Sequence, residues 1–219
     1  MKITSVKARQ ILDSRGIPTV ECDVATEKGL FRASVPSGSS AGKHEALELR
    51  DGTKAYNGKA VTKAVENVNK IIAKKIMGMD VSRQREIDDS MVALDATENK
   101  SKLGANAILA VSSAVCRAGA ASEGIELYEH IGRLYGNKKF ILPTPQMVVI
   151  SGGCHADKST DLQEYMICPH GFRTFKEALQ AGTETYNALA SLLRKKGFHT
   201  NVGKEGSFAP SVPSNRTPL

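Results

Sequence analysis

Side chains able to bind or turn over a charged small molecule gather in two stretches of this sequence. The first runs Gly152-Gly153-Cys154-His155, then Gln163-Glu164, and is joined much later by Glu205. An imidazole and two polar side chains at the end of a sheet make a reasonable anionic-substrate site. By residue type alone, a loop histidine and a strand-edge glutamate are also ordinary structural groups. The second stretch is Pro36-Ser37-Gly38-Ser39-Ser40-Ala41-Gly42-Lys43, which approaches a phosphate-cradling P-loop. That motif needs four residues between its glycines and then Gly-Lys-Ser/Thr. Here three residues separate Gly38 from Gly42, and His44 follows Lys43, so a P-loop is rejected.

The elements that would position these residues can be read from periodicity. Val20, Cys22 and Val24 alternate with Glu21 and Asp23, and Phe31, Ala33 and Val35 alternate after Lys28-Gly29. This predicts a β-hairpin. Ile3, Val6 and Ile11 suggest a third strand. Between Lys59 and Met77 the apolar residues fall at helical spacing on one stripe. A further helix is expected after Asp80, with Ile87, Met91 and Leu94 inward, and an Ala- and Val-rich, nearly all-round apolar helix from Gly104 to Ala121. Residues 1–135 therefore read as an α+β domain.

Gly136-Asn137-Lys138-Lys139 is a polar bridge, taken as the boundary, so residues 136–219 form a second region. Met147 to Ile150 reads as a buried strand and Leu162 to Cys168 as its partner. If they pair as a hairpin, His155, Gln163 and Glu164 collect at one end of the sheet. Thr174-x-x-Glu177 is a capping box. It opens a helix carrying Phe175, Ala178, Leu179, Tyr186, Leu189 and Leu193, closed by Gly197. From Phe198 to Leu219 no regular element is expected.

Composition narrows the classes. At 41% hydrophobic and 24% charged residues, the chain is an ordinary globular protein. No apolar run approaches a membrane span, and the N-terminus turns polar too early for a secretory signal. A cytoplasmic location without membrane contact is expected. The net charge of +7 is scattered, and aromatic residues make up only 5% with none interleaved among the basic ones, which argues against nucleic acid as partner. Cys22, Cys116, Cys154 and Cys168 lack paired spacing and read as buried thiols.

Five motifs in order carry a family resemblance: ILDSRG-x-PTVE, VPSG-x-S-x-G-x-x-EALELRD, ENKSKLGANAIL, GG-x-HA and QE-x-MI. Together they resemble the enolases, from the start of the chain to about Pro210. The resemblance implies an α+β N-terminal capping domain followed by the first part (ββα) of an incomplete enolase-type α/β barrel. It implies reversible dehydration of 2-phosphoglycerate to phosphoenolpyruvate in glycolysis, by a phosphopyruvate hydratase using two Mg2+ ions. A lysine removes the proton alpha to the carboxylate and the ions stabilise the dianionic intermediate. Glu205 matches the proton donor, Gln163 and Glu164 the substrate-contacting pair, and His155 the histidine of the mobile substrate loop. Ser40 matches the serine that completes the second magnesium's coordination. A homodimer is implied as well.

The departures from the family pattern carry their own expectation. The base, three magnesium carboxylates and a phosphate-holding Arg-Ser pair belong to later strands, which this sequence does not contain. A whole barrel takes roughly 250 residues, and about 80 follow the boundary. Lys204 stands where the family has Asp, Ser207 where it has Gly, Ile17 and Ser151 where it has Asn, and Ala41 where it has Thr. A cation beside a carboxylate favours the ionised form, whereas a general acid must hold its proton. The alternative to an enzyme is thus a catalytically inactive truncated homologue, either an interaction module or the product of a decaying or partial gene.

Overall fold

The alternation around Val20, Cys22 and Val24 makes the middle strand of a three-stranded antiparallel sheet, in which β1 (Ser5–Leu12), β2 (Pro18–Thr26) and β3 (Gly29–Ser34) are neighbours in that order. The structure is a computed structural model and describes residues 1–38, 41–203 and 205–219. The expectations for Ser40 and Lys204 lie outside these residues. The chain divides into two units, Met1–Lys139 and Phe140–Leu219.

In the first unit one face of β2 is fully buried through Val20, Cys22 and Val24. Burial pushes the Cys22 thiol up to about 12, so it is a packing group and not a nucleophile. The other face carries Glu21 and Asp23. The register sets Arg9 opposite Glu21 and Arg32 opposite Asp23, and the four side chains form an ion-paired cluster.

The expected helix from Lys59 to Met77 is present as α1 (Thr62–Asn67), a π-helical stretch (Val68–Ile72) and α2 (Ala73–Ile76). Asn69 of the π-helical stretch accepts from Ala8 N–H at 2.7 Å and donates to Ala8 C=O at 3.1 Å, tying the helix to β1. Then follow α3 (Gln84–Asp95), α4 (Ala105–Glu123) and α5 (Leu127–Tyr135). The periodicity reading omitted α5. Ala107, Ala110, Ala114 and Ala118 are fully buried. Such small side chains let α4 lie close across β2 and β3.

The segment between β3 and α1 has little regular structure and is pinned at several points. Arg15 donates to Asp13 and to Ser37 C=O at 2.6 Å. Arg50 donates to Ser37 Oγ at 3.1 Å and to Glu48 at 2.6 Å. Buried Asn106 of α4 exchanges two bonds of 3.1 Å with the Leu49 backbone. Asp51 accepts from the Thr62 and Lys63 amides, both at 3.0 Å, and so caps α1.

In the second unit β4 (Met147–Ser151) and β5 (Glu164–Ile167) pair antiparallel with an irregularity at Val149, and α6 spans Phe175–Lys195. The second strand is shorter than expected, because Leu162 and Gln163 belong to the turn. Thr174 and Glu177 form the capping box, with Glu177 N–H donating to Thr174 Oγ1 at 3.2 Å and Thr174 N–H to the Glu177 carboxylate at 3.0 Å. Ile150, Tyr165, Leu193 and Phe208 are the buried core. Of the apolar residues on α6, Ala178 and Leu193 are buried, whereas Phe175 and Leu179 are exposed.

Three cysteines depart from expectation. All four are free thiols, but only Cys22 is buried; Cys116 is intermediate, and Cys154 and Cys168 are exposed. Cys154 sits in the turn after β4 and Cys168 just beyond β5, where the backbone has left the sheet. No helix among the described residues is long and apolar enough to cross a membrane.

Candidate active site

The loop joining β4 to β5 begins at Gly152, and only glycine fits there. An added Cβ would lie 2.2 Å from Thr160 Oγ1 and 2.3 Å from Leu162 C=O. Gly152 N–H donates to Gln163 C=O at 2.8 Å and Gly153 N–H to Thr160 C=O at 2.7 Å. These bonds fold the loop back on itself. A short 3-10 turn, Gly153–His155, follows. The hairpin therefore delivers His155 and Gln163 to the same end, with Glu164 opposite Ser151 where the two strands meet it. Gln163 Nε2 approaches Glu164 Oε1 at 3.4 Å.

Glu205 reaches this end by a different route. The chain after α6 returns so that Phe208 lies parallel to Ile150, with Phe208 N–H donating to Val149 C=O and Ser151 N–H to Phe208 C=O, both at 2.9 Å. Tyr186 of α6 stacks on Phe208 with ring centroids 4.5 Å apart and donates to Gly206 C=O at 2.7 Å. Gly206, at φ +86°, makes the turn and donates to Gly203 C=O at 3.1 Å. Glu205 projects from this turn, and its Oε1 lies 3.9 Å from His155 Nδ1.

The sequence placed Phe198–Leu219 outside any regular element and so gave no partner for this segment. The returning chain nonetheless packs closely. Buried Ser207 hydrogen-bonds buried Ser151 through their hydroxyls. Further on, Asn215 accepts from Asp161 N–H at 2.8 Å, and Tyr165 Oη donates to Asn215 C=O at 2.8 Å. No periodicity signals such contacts, because each joins residues some 50 positions apart.

The arrangement offers one imidazole that is largely shielded, one carboxylate half in solvent, and a carboxamide–carboxylate pair at the strand end. It can bind a polar small molecule and exchange a proton with it. Magnesium fits less well. That ion takes near-octahedral oxygen donors, usually carboxylates, substrate and water. No group of three or more His, Cys, Asp or Glu among the described residues is placed to hold a metal ion. The described residues do not by themselves form its site.

Comparison with known proteins agrees on one family. A family model described as the enolase N-terminal domain matches residues 3–131, and one described as the enolase C-terminal TIM barrel domain matches residues 139–219. The chain is 56% identical over 220 residues to an enolase of Mastigamoeba balamuthi, covering 99% of this chain and 50% of that protein. It is 54% identical over 221 residues to an enolase of Elusimicrobium minutum (strain Pei191), covering 100% of this chain and 52% of that one. The chain thus spans about half the length of the curated relatives it matches.

Proposed function

The chain belongs to the enolase family, and from that premise we propose that it carries the acid half of a 2-phosphoglycerate dehydration site. In this reading Glu205 protonates the departing hydroxide, and His155, Gln163 and Glu164 contact the phosphorylated substrate. By the resemblance, Ser40 corresponds to the serine that ligates the family's second Mg2+. A cytoplasmic homodimer belongs to the same reading. The observation that supports it is the convergence of Glu205 on His155 at the loop end of the β4–β5 hairpin. Two distant stretches of sequence, each matched to the family's chemistry, meet there. The described residues do not assemble the ligands of a magnesium ion.

The test joins this chain to the remaining barrel of the Elusimicrobium minutum enolase and follows phosphoenolpyruvate formation. The joined protein should turn over. Glu205→Gln should then lower kcat by about 10²–10⁴-fold, the usual cost of a lost general acid. A folded joined protein whose rate is indifferent to Glu205→Gln would overturn the assignment. The 219-residue chain alone should show no turnover above background.

A further inference from the structure

Ser151 and Ser207 are separate departures from the enolase pattern in the sequence, but they are one feature in the structure. Ser151 is 3% exposed and Ser207 1% exposed, and their hydroxyls hydrogen-bond each other. Ser151 has no spare polar group. Its N–H donates to Phe208 C=O, its C=O accepts from Ser159 Oγ at 3.0 Å, and its hydroxyl meets Ser207. Ser207 C=O accepts from Gly203 N–H at 2.9 Å, closing the turn that carries Glu205. Unlike Gly206, Ser207 does not need a positive φ, so its side chain costs the backbone nothing.

We propose that Ser151 and Ser207 are a matched pair of positioning residues that hold the Glu205 turn against the end of β4. The assignment of a role to Glu205 rests on the function proposed above; the coupling of the two serines does not. A shorter side chain at 151 leaves room for the hydroxymethyl group at 207, and that group supplies the hydrogen-bond partner the shorter chain needs. Close packing makes each dependent on the other. A longer amide at 151 would meet Ser207, and glycine at 207 would leave the Ser151 hydroxyl buried without a partner.

The test uses the full 219-residue chain and native-state amide exchange, with the Ser151, Gly203 and Phe208 amides as reporters. Ser207→Ala and Ser207→Gly should each speed exchange at these amides by about tenfold, the scale of one buried hydrogen-bonding group left unpaired. Ser151→Asn alone should do the same. The double variant Ser151→Asn with Ser207→Gly should return to within about threefold of the parent. The ¹³C signal of the Glu205 carboxyl should move in the single variants and return in the double. Additive effects would overturn the matched pair. A restored amide pattern with a carboxyl signal that never moved would overturn the positioning role. Neither outcome depends on turnover, so failure here is distinct from failure of the dehydration reading.

Discussion

Asp23 is almost entirely buried and still ionised. Arg32 donates to both its oxygens, at 2.7 and 3.0 Å, and Arg9 donates from the opposite strand. Arg32 first, with Arg9 behind it, holds the carboxyl down at about 2, against an ordinary value of 3.8. Because the folded-state value is the lower one, the stabilisation is complete above the unfolded value and is lost as pH falls from about 4 towards 2. Both guanidinium groups are partly solvated, which limits the magnitude. Asp23→Asn should therefore cost on the order of 1 kcal/mol at pH 7, and the difference from the parent should shrink at pH 3. Urea unfolding at the two pH values reads this directly. The alternation of Glu21 and Asp23 was legible in the sequence, but their arginines were not, since strand register is invisible there. The same gap separated Ser151 from Ser207 and His155 from Glu205. Residue type and resemblance name candidates for a site, but not the contacts that join them.

At the scale of elements, two helix glycines look alike in sequence and differ in what surrounds them. A Cβ at Gly119 of α4 would lie 2.6 Å from Nε2 and 2.9 Å from Cε1 of the His130 ring, and 3.1 Å from Val81 C=O. His130 is 1% exposed on α5, and neither ring nor backbone carbonyl can yield. A Cβ at Gly182 of α6 would crowd Sδ and Cε of Met147, at 2.4 and 2.6 Å, and sit at ordinary contact distance from Pro169 Cγ, at 3.6 Å. A methionine tip can swing away. Replacing a helical glycine with alanine is worth about 1 kcal/mol by propensity alone. Gly119→Ala should nonetheless destabilise, by about 1–3 kcal/mol of overpacking, whereas Gly182→Ala should be neutral or slightly stabilising. Thermal melts of the two variants check both signs. The helices themselves were largely readable: the apolar stripes of α1–α2, α3 and α4 and the Thr174 capping box all appear where spacing put them. For α6, spacing shows which residues are apolar and not how much sheet lies under them. Short α5 escaped because its nine residues are fewer than the window over which helical spacing is counted.

For the whole molecule, what differs between the two units is how much apolar surface each buries. In Met1–Lys139 one continuous core runs from Ile3 through the sheet face to Ala118 on α4. In Phe140–Leu219 the buried cluster among the described residues is Ile150, Tyr165, Leu193 and Phe208, with Val149, Ala156 and Ala178 also buried. Local stability follows buried contacts, and regions poor in them open first. The stretch from 137 to 146 has no regular structure, and within it Ile141 is 90% and Leu142 75% exposed. Lys138 and Lys139 are exposed too and offer trypsin a site. Composition pointed to a polar bridge here, but the depth of each core depends on long-range packing that composition does not contain. Brief trypsin treatment of the intact chain should therefore cut first at or beyond Lys138, leaving a resistant N-terminal fragment while Phe140–Leu219 is degraded. Mass spectrometry of the products over time identifies the order. Equal survival of the two units, or an N-terminal unit that disappears first, would show that core size does not set the order of opening in this chain.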